Sequence, residues 1–234
     1  MLLSDLFQKL SFSTLSNLVI GGEGSGVIKP THYPRLISVI TEGLTDLHTR
    51  FPLREKEVTL QLFDEVAHYF FRPEHSMATG TDYYRYIQDT PFEPFVNDIL
   101  RVEQIFDEVG CELLLNDESE CCSLFTPSFD SLLVTHPSKD TILRVSYRAN
   151  HPAIPLTVTD PSTVEVSIPD SHTRALCLYV AGAIYSSMNG QEHTLKGQEF
   201  RTYYEAECEF IGQHNLDNAG IAQTNKKPML GGWR

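Results

Sequence analysis

The sequence of 234 residues predicts an α+β fold, with helices towards both ends of the chain and β-strands between them. Residues 33–50 repeat apolar side chains at helical spacing, residues 55–63 alternate apolar with polar side chains, and residues 170–212 return to helical spacing. The full expectation is a helical bundle from the N- and C-terminal helices, a β-rich antiparallel insertion and an extended C-terminal arm. The corresponding segments are 1–51, 52–168, 169–212 and 213–234.

The first segment combines short helical pieces with one long helix. Short pieces are expected at 3–9 and 12–18, and the sequence GGEGSG at 21–26 is expected to be a flexible loop. Thr31 is the expected N-cap of an amphipathic helix over 33–50, whose apolar side chains fall on one face.

The middle of the chain carries the strand signals. Residues 55–63 read as a strand, whereas residues 64–96 are rich in aromatic residues and prolines and show little periodicity, with one helix expected near 82–88. Later strands are separated by turn residues and not by long helices, which predicts an antiparallel meander or small barrel. These strands are expected at 99–109, 112–115, 132–135, 141–147 and 164–168.

Two helices follow the β-rich segment. Asp170 is the expected cap of the first, which ends near Asn189 and Gly190, and the second is expected over 195–212. The first of these helices contains several small residues. Small side chains let another helix approach closely. Two partners remain open: the helices 33–50 and 195–212 of the same chain, or a helix of a neighbouring copy.

The last segment, 213–234, has neither a strand-like nor a helical apolar pattern and is polar and Asn/Gly-rich. Such a segment becomes ordered only when something holds it. Met229, Leu230 and Trp233, the only tryptophan, are nevertheless the large apolar anchors that a partner's pocket favours. Two interpretations remain open, a frayed terminus and a docking arm that inserts into another subunit.

The net charge of −13 argues against adhesion to duplex DNA or to an anionic membrane. Residues 51–120 hold 16 of the 31 acidic residues but only 5 of the 18 basic ones. This acidic surface is either a solvated face or one that repels polyanions, as the wall of a channel for nucleic acid would. No apolar run approaches the roughly 20 residues of a membrane span. The odd number of cysteines, five, favours reduced thiols in a cytosolic setting.

Sequence signals for chemistry are weak. The glycine loop at 21–26 lacks the Lys-Ser/Thr of a phosphate-binding loop, because Lys29 is followed by Pro30. Cys111 and the neighbouring pair Cys121–Cys122 have no His or Cys partners at metal-site spacing. No HxH, HExxH or GxSxG sequence occurs. We therefore expect no cofactor, no metal and no enzymatic activity, with a hydrolase on the β-rich segment as the alternative from another class.

Three segments of the sequence together carry a resemblance to a known family. The first is the opening LSFSTLSNLVIGGEGSGVIKPTHYPRLISVITEGLTDLHTRFPLREKEVTLQ, and the second is the helix IPDSHTRALCLYVAGAIYSSM. The third is FRTYYEAECEFIGQHNL with the tail that closes on Gly231, Gly232 and Trp233. Together they resemble the head-to-tail adaptor proteins of short-tailed, N4-like bacteriophages, also called connector-ring or tail tubular A proteins. The segments cover about half of the chain and leave 64–165 unmatched.

The resemblance implies a structural virion protein, assembled in the host cytoplasm, that joins the portal protein to the tail nozzle or tail tube. It implies a homo-oligomeric ring of about twelve copies, through which double-stranded DNA passes without adhering. Another neck or tail-completion protein of the virion is the nearer alternative.

The resemblance also assigns roles to particular residues. Packing between copies would involve the two C-terminal helices, through Ala175, Tyr179, Ala183, Tyr203 and Tyr204. Binding to the portal would involve the end of the arm, through Lys226, Lys227, Pro228, Met229, Leu230, Gly231, Gly232, Trp233 and Arg234.

Overall fold

The computed structural model describes residues 1–16, 28–120, 122–139 and 141–214, and these contain four α-helices and six β-strands. The α+β class is therefore confirmed. The helices are α1 (Leu3–Phe12), α2 (Tyr33–Arg50), α3 (Asp170–Ser186) and α4 (Gln191–Gln213). The strands are β1 (Glu55–Gln61), β2 (His68–Phe70), β3 (Ile87–Gln88), β4 (Ile99–Phe106), β5 (Ser131–Leu133) and β6 (Ile142–Ala149).

The chain divides into two compact units. One, here called the helical unit, comprises Met1–Leu53 and the chain from His151 onward; the other, the β unit, is Arg54–Asn150. The loop predicted at 21–26 and the predicted arm, from residue 215 on, lie outside the described residues.

The helix predicted over 33–50 is confirmed as α2. Its apolar face is buried in the core of the helical unit, as the spacing indicates, through Leu36, Ile37, Ile40, Leu44 and Leu47. The expected cap was wrong, since Thr31 lies in a short 3-10 turn (Pro30–His32) and His32 occupies the N-cap position.

The N-terminal helix packs on a segment that the sequence predicted as a strand. The strand predicted at 164–168 is reduced to one isolated bridge, between Glu165 and Leu2. The pairing is this short because α1 begins at the residue after Leu2. Val166 and Ile154 are buried among the helices, so residues of 151–168 pack in the helical unit. The helix predicted over 12–18 is replaced by turns at residues 13–16.

The two C-terminal helices approach each other through glycines, which explains the small residues of α3. A Cβ added to Gly197 would lie 2.4 Å from Ser186 Oγ, 2.9 Å from Ser186 N and 3.1 Å from the Gly182 carbonyl oxygen. A Cβ on Gly182 would in turn lie 3.2 Å from Arg201 Cγ. No side chain larger than hydrogen fits at position 197 without movement of the backbone.

The larger sheet of the β unit is antiparallel, in the order β3-β1-β6-β4. β1 pairs with β6 along its whole length, from Glu55 opposite Arg148 to Gln61 opposite Ile142. The predicted meander was wrong, because the central pair joins strands that are distant in sequence. In the described chain the sheet ends at β3 and β4, so it is open and not a barrel. β2 and β5 form a separate antiparallel pair.

The ends of the β unit lie side by side. The Ala149 N–H donates to the Arg54 carbonyl oxygen at 2.8 Å, and Arg54 Nη1 donates to the Asn150 carbonyl oxygen at 3.0 Å. Asp98 Oδ2 accepts from Lys56 Nζ at 2.7 Å, and Tyr147 Oη donates to Asp98 Oδ1 at 3.1 Å. The first and last residues of this unit are therefore fixed to one another.

The helix predicted near 82–88 was wrong, because long-range contacts hold this stretch extended. Tyr86 packs edge-on to Tyr69 at 4.9 Å and donates to the Phe70 carbonyl oxygen at 3.0 Å, and β3 then pairs with β1. The strand predicted at 99–109 ends at Phe106, ahead of a turn in which Gly110 has a φ of +93°. The strand predicted at 112–115 forms only isolated bridges.

We expect Gly197→Ala to lower the free energy of unfolding by about 1–3 kcal/mol, because the added methyl group meets the Ser186 backbone. Gly212→Ala on the same helix is the matched control, since nothing lies within 4 Å of its added Cβ. The control should be neutral or stabilising by up to about 1 kcal/mol, as alanine favours helices. Denaturant titrations followed by circular dichroism measure both; equal effects of the two substitutions would contradict the close approach.

Candidate functional site

The residues assigned to packing between copies occupy different environments in the helical unit. Ala175 and Tyr204 are buried within their own chain, Tyr179 and Ala183 are half-buried, and Tyr203 is 49 % exposed. The small-residue face of α3 therefore meets helices of the same chain, which was one of the two partners left open. Contact with a second copy stays a prediction for these five residues.

Three of the five residues lie together in a cleft of the helical unit. Tyr179, Ala183 and Tyr204 line this space of about 310 Å³, together with Arg50 and Glu205. The rings of Tyr179 and Tyr204 meet edge-on with their centroids 5.3 Å apart. The cleft thus contains charged groups beside two aromatic rings.

Arg50, at the end of α2, organises the polar groups of this cleft. Its guanidinium donates from Nη1 and Nη2 to the two carboxylate oxygens of Glu205, at 2.6 Å and 2.9 Å. Its Nε lies 2.8 Å from Asp46 Oδ2, and its Cζ lies 5.1 Å from the centre of the Tyr204 ring. The planar guanidinium suits this forked and stacked arrangement, which a lysine ammonium cannot reproduce.

The network sets the protonation of its members. The hydrogen bonds from Arg50 lower the pKa of Glu205, so this carboxylate stays charged. Burial raises the pKa of Tyr204, and its hydrogen bond to Asp46 raises it further, so the phenol stays a donor. The Glu205 carboxylate and the Tyr204 phenol of α4 are thus held by Arg50 and Asp46 of α2, and these contacts join the two helices.

A larger groove lies between α1 and α3, with a volume of about 830 Å³. Its α3 side contains the nearly buried Cys177 and Leu178, and its α1 side contains Phe12, which is 82 % exposed. Burial raises the pKa of Cys177 to about 11, so its thiol stays protonated and unreactive near neutral pH. Cys177 is therefore not a thiolate nucleophile near neutral pH.

One face of α4 carries exposed apolar side chains, and we call it the outer stripe: Leu195, Tyr203 and Phe210. Leu195 is 59 % exposed, and Tyr203 and Phe210 are each 49 % exposed. Their spacings of eight and seven residues place them on one side of the helix. Ala206 lies between the last two on the same side and is also exposed.

The structure places the remaining predicted groups as follows. The portal-binding residues 226–234 lie outside the described residues, as does Cys121, whereas Cys111 and Cys122 are exposed. Among the described residues, no group of three or more His, Cys, Asp or Glu side chains is arranged to hold a metal ion. No described helix has the length and apolar character to cross a bilayer.

Comparison of the sequence with protein-family models gives no match, and comparison with curated proteins gives none either.

Neither the Arg50 network nor the α1–α3 groove was predicted from the sequence. The spacing of Asp46 and Arg50, four residues apart on one helix, is a local signal that could have revealed part of the network. Glu205 and Tyr204 gave no such signal, because Glu205 is 155 residues from Arg50 along the chain. The groove depends on how two helices pack, which no local pattern encodes.

We expect Arg50→Lys to lower the free energy of unfolding by about 0.5–1.5 kcal/mol, because lysine keeps the charge but loses the fork and the ring contact. Arg101→Lys is the matched control, since the Arg101 side chain is 73 % exposed and its ion pair with Glu103 is 3.8 Å long. Thermal and chemical denaturation measure both. Equal stability of the Arg50→Lys and Arg101→Lys proteins would show that the fork contributes nothing.

Proposed function

We propose that this protein is a structural component of a short-tailed bacteriophage virion, a head-to-tail adaptor that joins the portal to the tail. About twelve copies assemble as a ring that surrounds part of the DNA ejection channel. The proposal starts from the resemblance of the two terminal parts of the sequence to such adaptors. Its main structural support is the outer stripe of α4, which presents apolar side chains for packing against another molecule.

In this proposal the N- and C-terminal helices form a bundle that faces the portal and the neighbouring copies. The β unit, Arg54–Asn150, faces outward or toward the tail nozzle or tail tube. The extended arm, 213–234, reaches into a cleft of the portal oligomer. α4 ends at Gln213, so the arm continues directly from the helix that carries the outer stripe.

The charge distribution is compatible with a channel for DNA. Residues 51–120 have a balance near −11, and the whole chain has a net charge of −13. A negative wall repels the phosphate backbone, so double-stranded DNA passes without adhering. The protein then acts by position and shape and needs no catalytic group.

Electron microscopy of the purified protein mixed with the portal of the same phage tests the proposal. An added ring beneath the portal, with a mass of about twelve subunits, is the expected result. A ring elsewhere in the neck, or density further along the tail, would favour another neck or tail-completion protein. Portal rings that carry no added ring, even at a high concentration of this protein, would contradict the proposal.

Deletion of residues 219–234 is expected to abolish joining to the portal and to leave the rest of the protein folded. The arm gains its binding free energy from burying Met229, Leu230 and Trp233, which offsets the cost of ordering the segment. Co-sedimentation with portal rings measures joining, and circular dichroism checks the fold. Normal assembly of the shortened protein on portal rings would contradict a docking role for the arm.

Trp233 provides a direct signal because it is the only tryptophan in the chain. In the isolated protein its emission should resemble that of indole in water, and portal should shift it to the blue as the ring leaves water. Trp233→Phe is the control for emission from the portal itself. An unchanged spectrum at saturating portal would show that Trp233 stays in water.

A further inference from the structure

We propose that Asn189 is a site of spontaneous deamidation, at which the Gly190 nitrogen displaces the side-chain amide group and a carboxylate is left. The two residues belong to the short connection between α3, which ends at Ser186, and α4, which begins at Gln191. The inference concerns the helical unit alone and goes beyond the proposed ring, on which it does not depend.

The sequence of the connection favours attack by the backbone. Asn189 is the only asparagine in the chain that is followed by glycine. A side chain on the following residue hinders the approach of its nitrogen to the asparagine, and glycine has none. Gly190 also has a φ of +122°, a conformation that other residues rarely adopt. The backbone here thus requires the residue that also leaves its nitrogen most accessible.

The structure leaves the reacting atoms open. Asn189 and Gly190 are exposed and lie outside the helices. The Gly190 carbonyl oxygen accepts from the Thr194 N–H and from Thr194 Oγ1, each at 3.1 Å, so this residue is held through its carbonyl group. Within the described chain, neither the Gly190 N–H nor the Asn189 side-chain amide has a hydrogen-bond partner. No hydrogen bond then has to break before the nitrogen reaches Asn189 Cγ.

Asn116 of the β unit is also exposed, but its reacting groups are occupied. Its Oδ1 accepts from the Thr126 N–H at 2.9 Å, and its Nδ2 donates to Thr126 Oγ1 at 2.9 Å. The next backbone nitrogen, that of Asp117, donates to Ser123 Oγ at 2.9 Å. These contacts hold both the side chain and the nitrogen apart from each other. The fold therefore protects Asn116 and leaves Asn189 open.

The reaction needs only water and a base. A base removes the Gly190 amide proton, and the nitrogen forms a bond to Asn189 Cγ. The bond between Cγ and Nδ2 breaks, and ammonia leaves with a proton from water. Water then opens the resulting succinimide at one of its two carbonyl groups. One product is aspartate, and the other is isoaspartate, in which the main chain runs through the side chain and gains one carbon.

Isoaspartate at position 189 would lengthen a connection whose two helices approach closely. Ser186 is the last residue of α3, and its backbone nitrogen would lie 2.9 Å from a Cβ added to Gly197 of α4. The modification therefore acts next to the crossing at which the two helices have no spare room.

Peptide mass mapping of the full-length chain, kept folded in mildly alkaline buffer, tests the proposal. The peptide that contains Asn189 should gain the mass difference between an amide and a carboxylate. A methyltransferase specific for isoaspartate should also label it. Asn189→Gln is the matched variant, because glutamine keeps the amide but closes the corresponding larger ring far more slowly. This substitution should abolish both signals at position 189.

The chain unfolded in denaturant separates the effect of the fold from that of the sequence. Asn116 should react about tenfold faster or more when unfolded, because its hydrogen bonds are lost, whereas Asn189 should react at a similar rate in both states. Strong slowing of Asn189 in the folded chain would overturn the inference, since the fold would then protect the connection. Equal labelling of the wild-type and Asn189→Gln proteins would also overturn it and assign the modification to other asparagines.

Discussion

The contact that the helical unit depends on is the close approach of α3 and α4 at Gly197. The Ser186 backbone nitrogen and the Gly182 carbonyl occupy the space that a side chain at position 197 would need. This contact sets the distance between the helices, and that distance lets Tyr179 and Tyr204 meet edge-on and brings Glu205 within reach of Arg50. The Tyr179–Tyr204 contact lies across the same pair of helices as this glycine, and Arg50 reaches Glu205 of α4 from α2.

The helical unit keeps its charged contacts and its exposed apolar surface on different parts of α4. Arg50, Asp46, Glu205 and Tyr204 satisfy one another within the chain, and partly buried forked pairs of this kind specify geometry more than they add stability. The outer stripe keeps a large exposed apolar area, although Tyr203 Oη donates to Glu199 Oε1 at 2.7 Å and the ring centroids of Phe210 and His214 lie 4.2 Å apart. A surface of this composition is typical of a helix that packs on another molecule, and this is why assembly, more than chemistry, is the role we propose.

The local patterns of the sequence predicted the four α-helices and the longest strands, although they also predicted helices near 12–18 and 82–88 that the structure does not contain. The face of α2 and the alternation in β1 are each encoded within one element, so both were predicted. The order of the strands was not predicted, because β1 pairs with β6 some ninety residues later. β3 is held by its pairing with β1 and by the long-range contacts of Tyr86, which no local pattern encodes. In the candidate site the sequence singled out Tyr179, Ala183 and Tyr204 but not Arg50, whose partner Glu205 is distant in the chain. The arm lies beyond the described residues and remains a prediction.

The hydrogen bonds that join Arg54 to Ala149 and Asn150 have an evolutionary consequence. The chain enters and leaves the β unit at residues that are hydrogen-bonded to each other. Recombination could therefore replace the residues between Arg54 and Ala149 with a longer or shorter segment without changing the distance between these two positions. Any replacement that keeps the pairing of Arg54 with Ala149 and Asn150 also keeps the entry and the exit of the unit next to each other.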